Sequence, residues 1–246
     1  MAEPTAPAAL GQLERELAGL LDRDATAAGL QPRDDVFTRV NDRLVARGFH
    51  ALSDHAAPWR DLLLWKHQEE RAFTVQLTDT QREVHVVFMK EFYSQGWTHF
   101  ASLGRVTTSG WAAADRLYCV DWAYDRDSES FRISYLKHET RHLVDYERFP
   151  QLQQADLEYR AKLTELAFAS ATLPRVLAQF RRDAAPNPAL PHAFANLRVT
   201  RDLHALLYDK PLPASGEPWA HLSPVRVNRA ARELLRRHTR ALTRAD

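Results

Sequence analysis

Apolar positions recur at helical spacing at both ends of the chain and switch to an alternating pattern in the middle. Leu10, Leu13, Leu17, Leu20 and Leu21 predict a first helix. Val36, Phe37, Val40, Leu44 and Val45 predict a second, opened by Pro32 and closed near Gly48. A shorter helix is expected over Trp59 to His67. The period then shortens. Ala72 to Leu77 and Val84 to Met89 read as strands, with Thr78 to Gln81 as their turn. Trp97 to Leu103, Arg105 to Thr108 and Leu117 to Tyr124 extend this strand-like block, punctuated by Gly104 and Gly110.

Helical spacing returns at residue 131. Phe131 to Phe149 contains no Gly or Pro, and Ile133, Leu136, Leu143 and Val144 supply its apolar positions. Asp127, Ser128 and Ser130 stand at its start, where unpaired N–H groups need acceptors, and Pro150 ends it. Gln153 to Leu173 predicts the next helix, through Leu157, Ala161, Leu163, Leu166 and Ala167. A Pro-rich connector (183–191), a helix around Leu197 to Tyr208, a second Pro-rich loop (211–224) and a basic terminal helix complete the chain. The expected fold class is α+β: N-terminal helices, a small, mostly antiparallel central sheet, a pair of antiparallel helices, then further helices. After residues 1–8, which are Ala/Pro-rich and expected to be frayed, residues 9–246 are expected to form one domain.

The chemistry concentrates in His138-Glu139-Thr140-Arg141-His142, an H-E-x-x-H pattern. Histidines four apart project from one helical face, a turn from each other, and can reach a single tetrahedral Zn²⁺. Glu139 points to the side, where water would stand, and can act as general base. A catalytic zinc site needs three protein ligands and an open position. Folding the two helices back about residue 150 puts Glu158 beside His142 and Glu165 near His138. Glu158 is then the third ligand and Glu165 the acceptor that fixes the His138 tautomer. The same fold-back leaves the exchange of these two roles open. Asp145, one turn after His142, is a candidate to orient it, and equally an exposed acid.

These residues resemble the zincin metallopeptidases, and within them the gluzincin branch typified by thermolysin. The resemblance covers about residues 131–170. It implies His138, His142 and Glu158 as ligands, Glu139 as general base, and a sheet edge beside the motif helix where peptide adds as a strand; residues 97–124 are the block expected to provide it. The chain departs from that branch in two places. Only fifteen residues separate His142 from Glu158, and the position four after Glu158, an acid in many members, is Lys162. A peptidase of this kind also needs a group to steady the oxyanion. His204 and Tyr208, four apart on a predicted helix, are candidates, against the plainer reading of two surface residues.

Composition adds limits. Formal net charge is +1, so nothing draws the whole chain toward nucleic acid or membrane. Arginines 226, 229, 232, 236, 237, 240 and 244 make the last helix basic, but Ala230, Leu234 and Leu242 give it a face to pack on the domain. The single Cys119 excludes an intrachain disulfide and reads as a small buried hydrophobe. No apolar run approaches the roughly 20 residues of a membrane span. The opening residues lack the basic and apolar regions of a secretory signal, so a cytoplasmic location is expected; a periplasmic or secreted one would need a leader upstream. The expected function is a zinc-dependent metallohydrolase acting on peptide or protein. The alternative is a non-catalytic helical binding module with a structural or vestigial metal site. His192 and His221, in Pro-rich loops, carry no assignment.

Overall fold

The computed structural model describes residues 11–12, 15–20, 36–56, 59–113, 116–214, 216, 218–219 and 222–245. Pro32, His221 and the 1–8 segment lie outside these. Two compact units divide the described chain: one within Met1–Glu69 and Phe88–Ser109, the other within Glu70–Val87 and Gly110–Asp246. The fold is mixed α+β. A five-stranded sheet has the order β1-β2-β3-β5-β4, with β1 His50–Ala56, β2 Trp59–Gln76, β3 Gln81–Gln95, β4 Gly110–Ala113 and β5 Arg116–Val120. No helix among the described residues is long and apolar enough to cross a membrane.

In the first unit, residues 15–20 are helical and α1 spans Val36–Ala46. Gly48, at φ 83, turns the chain into β1; a residue with a Cβ enters that left-handed region only at a cost. The stretch Trp59 to His67 is strand rather than helix. It pairs antiparallel with β1 in the register Ala51↔Leu64, and Leu63 and Trp65 alternate inward with period two. Cross-strand pairing there overrides a leucine run that is equally compatible with a helix. Trp97 to Leu103 differs in the opposite sense. Gly96, at φ 85, breaks β3, and α2 (Gly96–Ala101) follows, with Trp97 and Phe100 exposed rather than packed in a sheet. Arg105 to Thr108 is not strand.

The second unit carries the far ends of the β2–β3 hairpin. Its tip closes where Leu77 N–H donates to Thr80 O at 2.8 Å, in the expected turn. The strand expected at Ala72–Leu77 is the end of β2, and the one at Val84–Met89 is the middle of β3. β5 ends at Val120, and Asp121–Ala123 winds as a 3₁₀ turn where strand was expected. Gly110, in edge strand β4, is required by close approach: a Cβ there would lie 2.5 Å from both Tyr118 O and a Tyr135 ring carbon.

Helices build the rest. The segment expected as one helix is two: Phe131–Lys137 winds as a π-helix, and α3 (His138–Arg148) continues it as α-helix. The His138 N–H bonds back five residues to Ile133 O. Phe131 and Tyr135 stack at 5.5 Å within this wider turn. Ser128 Oγ accepts the Phe131 N–H, the cap the sequence offers. Phe149, ahead of Pro150, leaves the helical region and stops α3, and α4 (Gln154–Phe168) returns antiparallel. Unlike an amphipathic surface helix, α4 is buried all round from Leu157 to Ala167. Next come α5 (Leu173–Arg182), α6 (Pro191–Tyr208) and α7 (Pro224–Ala245). The α5 helix was not expected; its short apolar run falls between Pro174 and the Pro-rich connector. Leu163, Leu166, Leu177, Val199, Leu203 and Ala231 join α4–α7 into one core. Val227, Ala231 and Leu235 turn the inner face of α7 into it, leaving most of the arginines outward.

Candidate metal centre

The α3–α4 hairpin supplies every residue of the centre. Because the turn between the helices is short, residues equidistant from Pro150 face each other. His142 Nε2 lies 3.3 Å from Glu158 Oε1, and His138 Nε2 lies 3.6 Å from Glu158 Oε2. The two imidazoles meet edge to face, 4.9 Å between centroids. One ligand atom from each of His138, His142 and Glu158 falls within 4.8 Å of the others, and all three residues are buried. Ligands about 2.0–2.1 Å from a tetrahedral Zn²⁺ stand about 3.3 Å apart. The two histidine–carboxylate distances are close to that value, and the three ligand atoms together lie within 4.8 Å. Two buried atoms of the group, His142 Nδ1 and Glu158 Oε2, have no hydrogen-bond partner. An orphaned carboxylate oxygen facing imidazole nitrogens fits a cation better than a closed network of protein hydrogen bonds.

Glu165 takes the other nitrogen of His138: Nδ1 to Oε1 is 2.7 Å. That contact points Nε2 toward Glu158. Burial disfavours the His138 imidazolium, but the Glu165 hydrogen bond and the charges of Glu165, Glu139 and Glu158 outweigh it and raise the pKa to about 9. Burial would likewise raise the Glu158 carboxyl; His142, His192 and His138 hold it well below the usual carboxylate range. For Glu139 the net shift is the opposite, because burial prevails. Its carboxyl is pushed up, with His138 and His142 pulling back only in part.

Glu139 opens onto a cleft of about 410 Å³. His138, Lys162 and Glu165 share its lining, with Val176 and Phe180 from α5 and Ser128, Ser130 and Asp125 from the loop before the π-helix. Arg175 also lines the cleft and donates to Ser130 Oγ. The sheet edge β4 packs against α3, within the block expected beside the motif.

Several residues hold places that the sequence did not indicate. Asp145 does not orient His142. It accepts from Arg160 Nε at 2.7 Å and Nη2 at 3.0 Å, and from Arg141, all fully buried. Arg141 reaches on to Asp79 at the β2–β3 tip, which anchors α3 to the hairpin. His204 and Tyr208 are absent from the cleft lining: His204 Nδ1 bonds Lys210 O at 2.9 Å, and Tyr208 OH donates to Pro218 O, so both tie down the loop after α6. His192 stands in the first turn of α6, its Nδ1 2.8 Å from Glu158 Oε2 but out of line for a hydrogen bond. Tyr146 lies one turn beyond His142, the rings 6.1 Å apart; the i, i+4 spacing was the available signal. Arg175 and Phe180 had none, because α5 itself was hidden.

No protein-family model matches the chain, and no curated protein or solved structure matches it significantly.

Proposed function

We propose that the protein is a zinc-dependent hydrolase that cleaves peptide or protein substrates. The observation that carries this reading is the buried His138–His142–Glu158 cluster with the Glu139 carboxyl beside it in an open cleft. Two imidazoles and one carboxylate within 4.8 Å of one another suit Zn²⁺, and three ligands leave a position for substrate. When bound, zinc supplies a Lewis acid that acidifies water and polarises a carbonyl. The chain's own residues do the rest. Glu165 accepts from His138 Nδ1 and would leave Nε2 to the metal once the ion displaces its proton. Glu139, with its carboxyl raised by burial, takes a proton from the attacking water and returns it to the leaving nitrogen. The β4 edge beside α3 offers main-chain groups to an extended peptide.

A second reading has one observation in its favour. His192 approaches Glu158 closely, and a fourth ligand from that side would close the site into a structural staple for a binding module. One experiment separates the two. Zinc-loaded wild type and Glu139→Gln are compared on an unbiased peptide library, with metal analysis of each. Hydrolysis by the wild type, lost in the variant at equal zinc content, supports the enzyme. Turnover undiminished in Glu139→Gln removes Glu139 from the mechanism, and a chain that takes up no zinc ends the reading.

A further inference from the structure

Lys162 follows Glu158 by one turn of α4 and is 7% exposed. Lysine reaches such burial rarely, and then with its ammonium hydrogen-bonded. Here Nζ lies 4.0 Å from Glu158 Oε2, ion-pair distance but too far for a hydrogen bond. Its other neighbour is the Phe180 ring, 4.8 Å from Nζ to the centroid. An aromatic face holds a cation in place without offering a lone pair. Among the described residues, then, no oxygen accepts a hydrogen bond from this ammonium, and it is aimed into the same cleft as Glu139 and His138.

The free donors of Lys162 face the cleft, where water or an anion can accept from them. Glu158 stands 4.0 Å from the lysine charge, and Glu139 and Glu165 line the same cleft. Were Glu158 to ligate a dication, its charge would be shared between that ion and Lys162. A second positive centre beside that ion would favour an anion on the cleft side. Glu139, His138 and Lys162 line one cleft, and that is where an anion would meet the ammonium.

Resting on the hydrolase reading above, we propose that Lys162 is a catalytic residue that binds the oxyanion of the reaction. Water oxygen bonds to the carbonyl carbon while Glu139 takes the water proton. The π-electron pair moves onto the carbonyl oxygen, and Lys162 donates a hydrogen bond to that oxygen. The C–N bond then breaks, nitrogen takes the proton from Glu139, and the oxygen pair restores C=O. Lys162 keeps its own proton throughout. Phe180 holds the ammonium without consuming its donors, which gives α5 a part in the site.

The test is acetate binding to cobalt(II)-loaded protein, followed in the visible spectrum, for wild type, Lys162→Met and Lys162→Arg. Lys162→Met should weaken acetate by about tenfold or more, which is about 1.4 kcal/mol, while Lys162→Arg stays within about threefold of wild type. Metal stoichiometry and melting temperature should be preserved. If Lys162→Met loses metal or fold, Lys162→Gln takes its place and should show the same weakening. On any peptide found by the library, kcat should fall about 10²-fold with KM little changed. Equal acetate affinity in the metal-loaded neutral variant overturns the assignment of Lys162 and leaves the hydrolase reading standing. A wild type that binds no metal overturns both.

Discussion

At the scale of single residues, each ionisable group in the centre is defined by the one it faces. Glu165 holds the outer nitrogen of His138 at 2.7 Å, so its contribution to metal binding is indirect. Glu165→Gln should leave the fold intact and weaken zinc by about 10–100-fold, measured by competition with a chromophoric chelator. Unchanged affinity would show that His138 does not need this partner. Asp145 is tied instead to Arg160 and Arg141, all fully buried. Removing it leaves buried guanidinium charge uncompensated. Asp145→Ala should cost about 3–5 kcal/mol in urea unfolding, far more than an exposed acid on a helix. A loss below about 1 kcal/mol would mean water or Asp79 takes over.

At the scale of elements, the wall of the cleft depends on how α5 begins. Glu129 accepts the N–H groups of Ser170, Ala171 and Thr172, and the Thr172 hydroxyl. It does for α5 what no residue of α5 does for itself. Burial opposes the Glu129 charge, but the Thr172 hydroxyl and the three backbone donors outweigh it and lower the pKa to about 2. A depressed carboxylate pKa stabilises the fold fully above the unfolded value of about 4.3, and the contribution is lost as pH falls toward 2. Glu129→Gln should therefore lower the melting temperature at neutral pH, by the equivalent of about 1–2 kcal/mol, and flatten the acid limb between pH 4.5 and 2. A variant curve parallel to wild type through that window would exclude Glu129 as its source.

At the scale of the molecule, a metal held by the proposed centre would add to the stability. The centre lies inside the second compact unit, on two helices that also carry the buried polar network. An ion that binds only the folded state stabilises it by about 2.7 kcal/mol at a hundredfold excess over Kd. Zinc should raise the melting temperature of the wild type and a chelator should reverse the rise. His138→Ala and His142→Ala should melt at a temperature that does not depend on zinc. A zinc-dependent rise retained in both variants would place the ion elsewhere.

What the residues determined alone is what depends on short range. The H-E-x-x-H spacing, the stop at Pro150 and the fold-back that sets Glu158 and Glu165 opposite the histidines all follow from helical geometry and one turn, so the candidate ligand set was legible before any coordinates. The Ser128 cap and the Gly48 turn were legible for the same reason. Tertiary structure decided whatever depends on partners distant in sequence. The leucines after Trp59 fit helix or strand equally, and only pairing with β1 chose strand. Aromatic content suggested sheet for Trp97 to Leu103, but Gly96 ended the strand and left those rings exposed. Asp145 became the partner of Arg160 because α4 brought the guanidinium there. Lys162, plain in the sequence as a departure from the gluzincin pattern, acquired its surroundings only when Phe180 of α5 covered it. A helix face sets which side chains are neighbours along the chain; packing alone sets which charges are buried together.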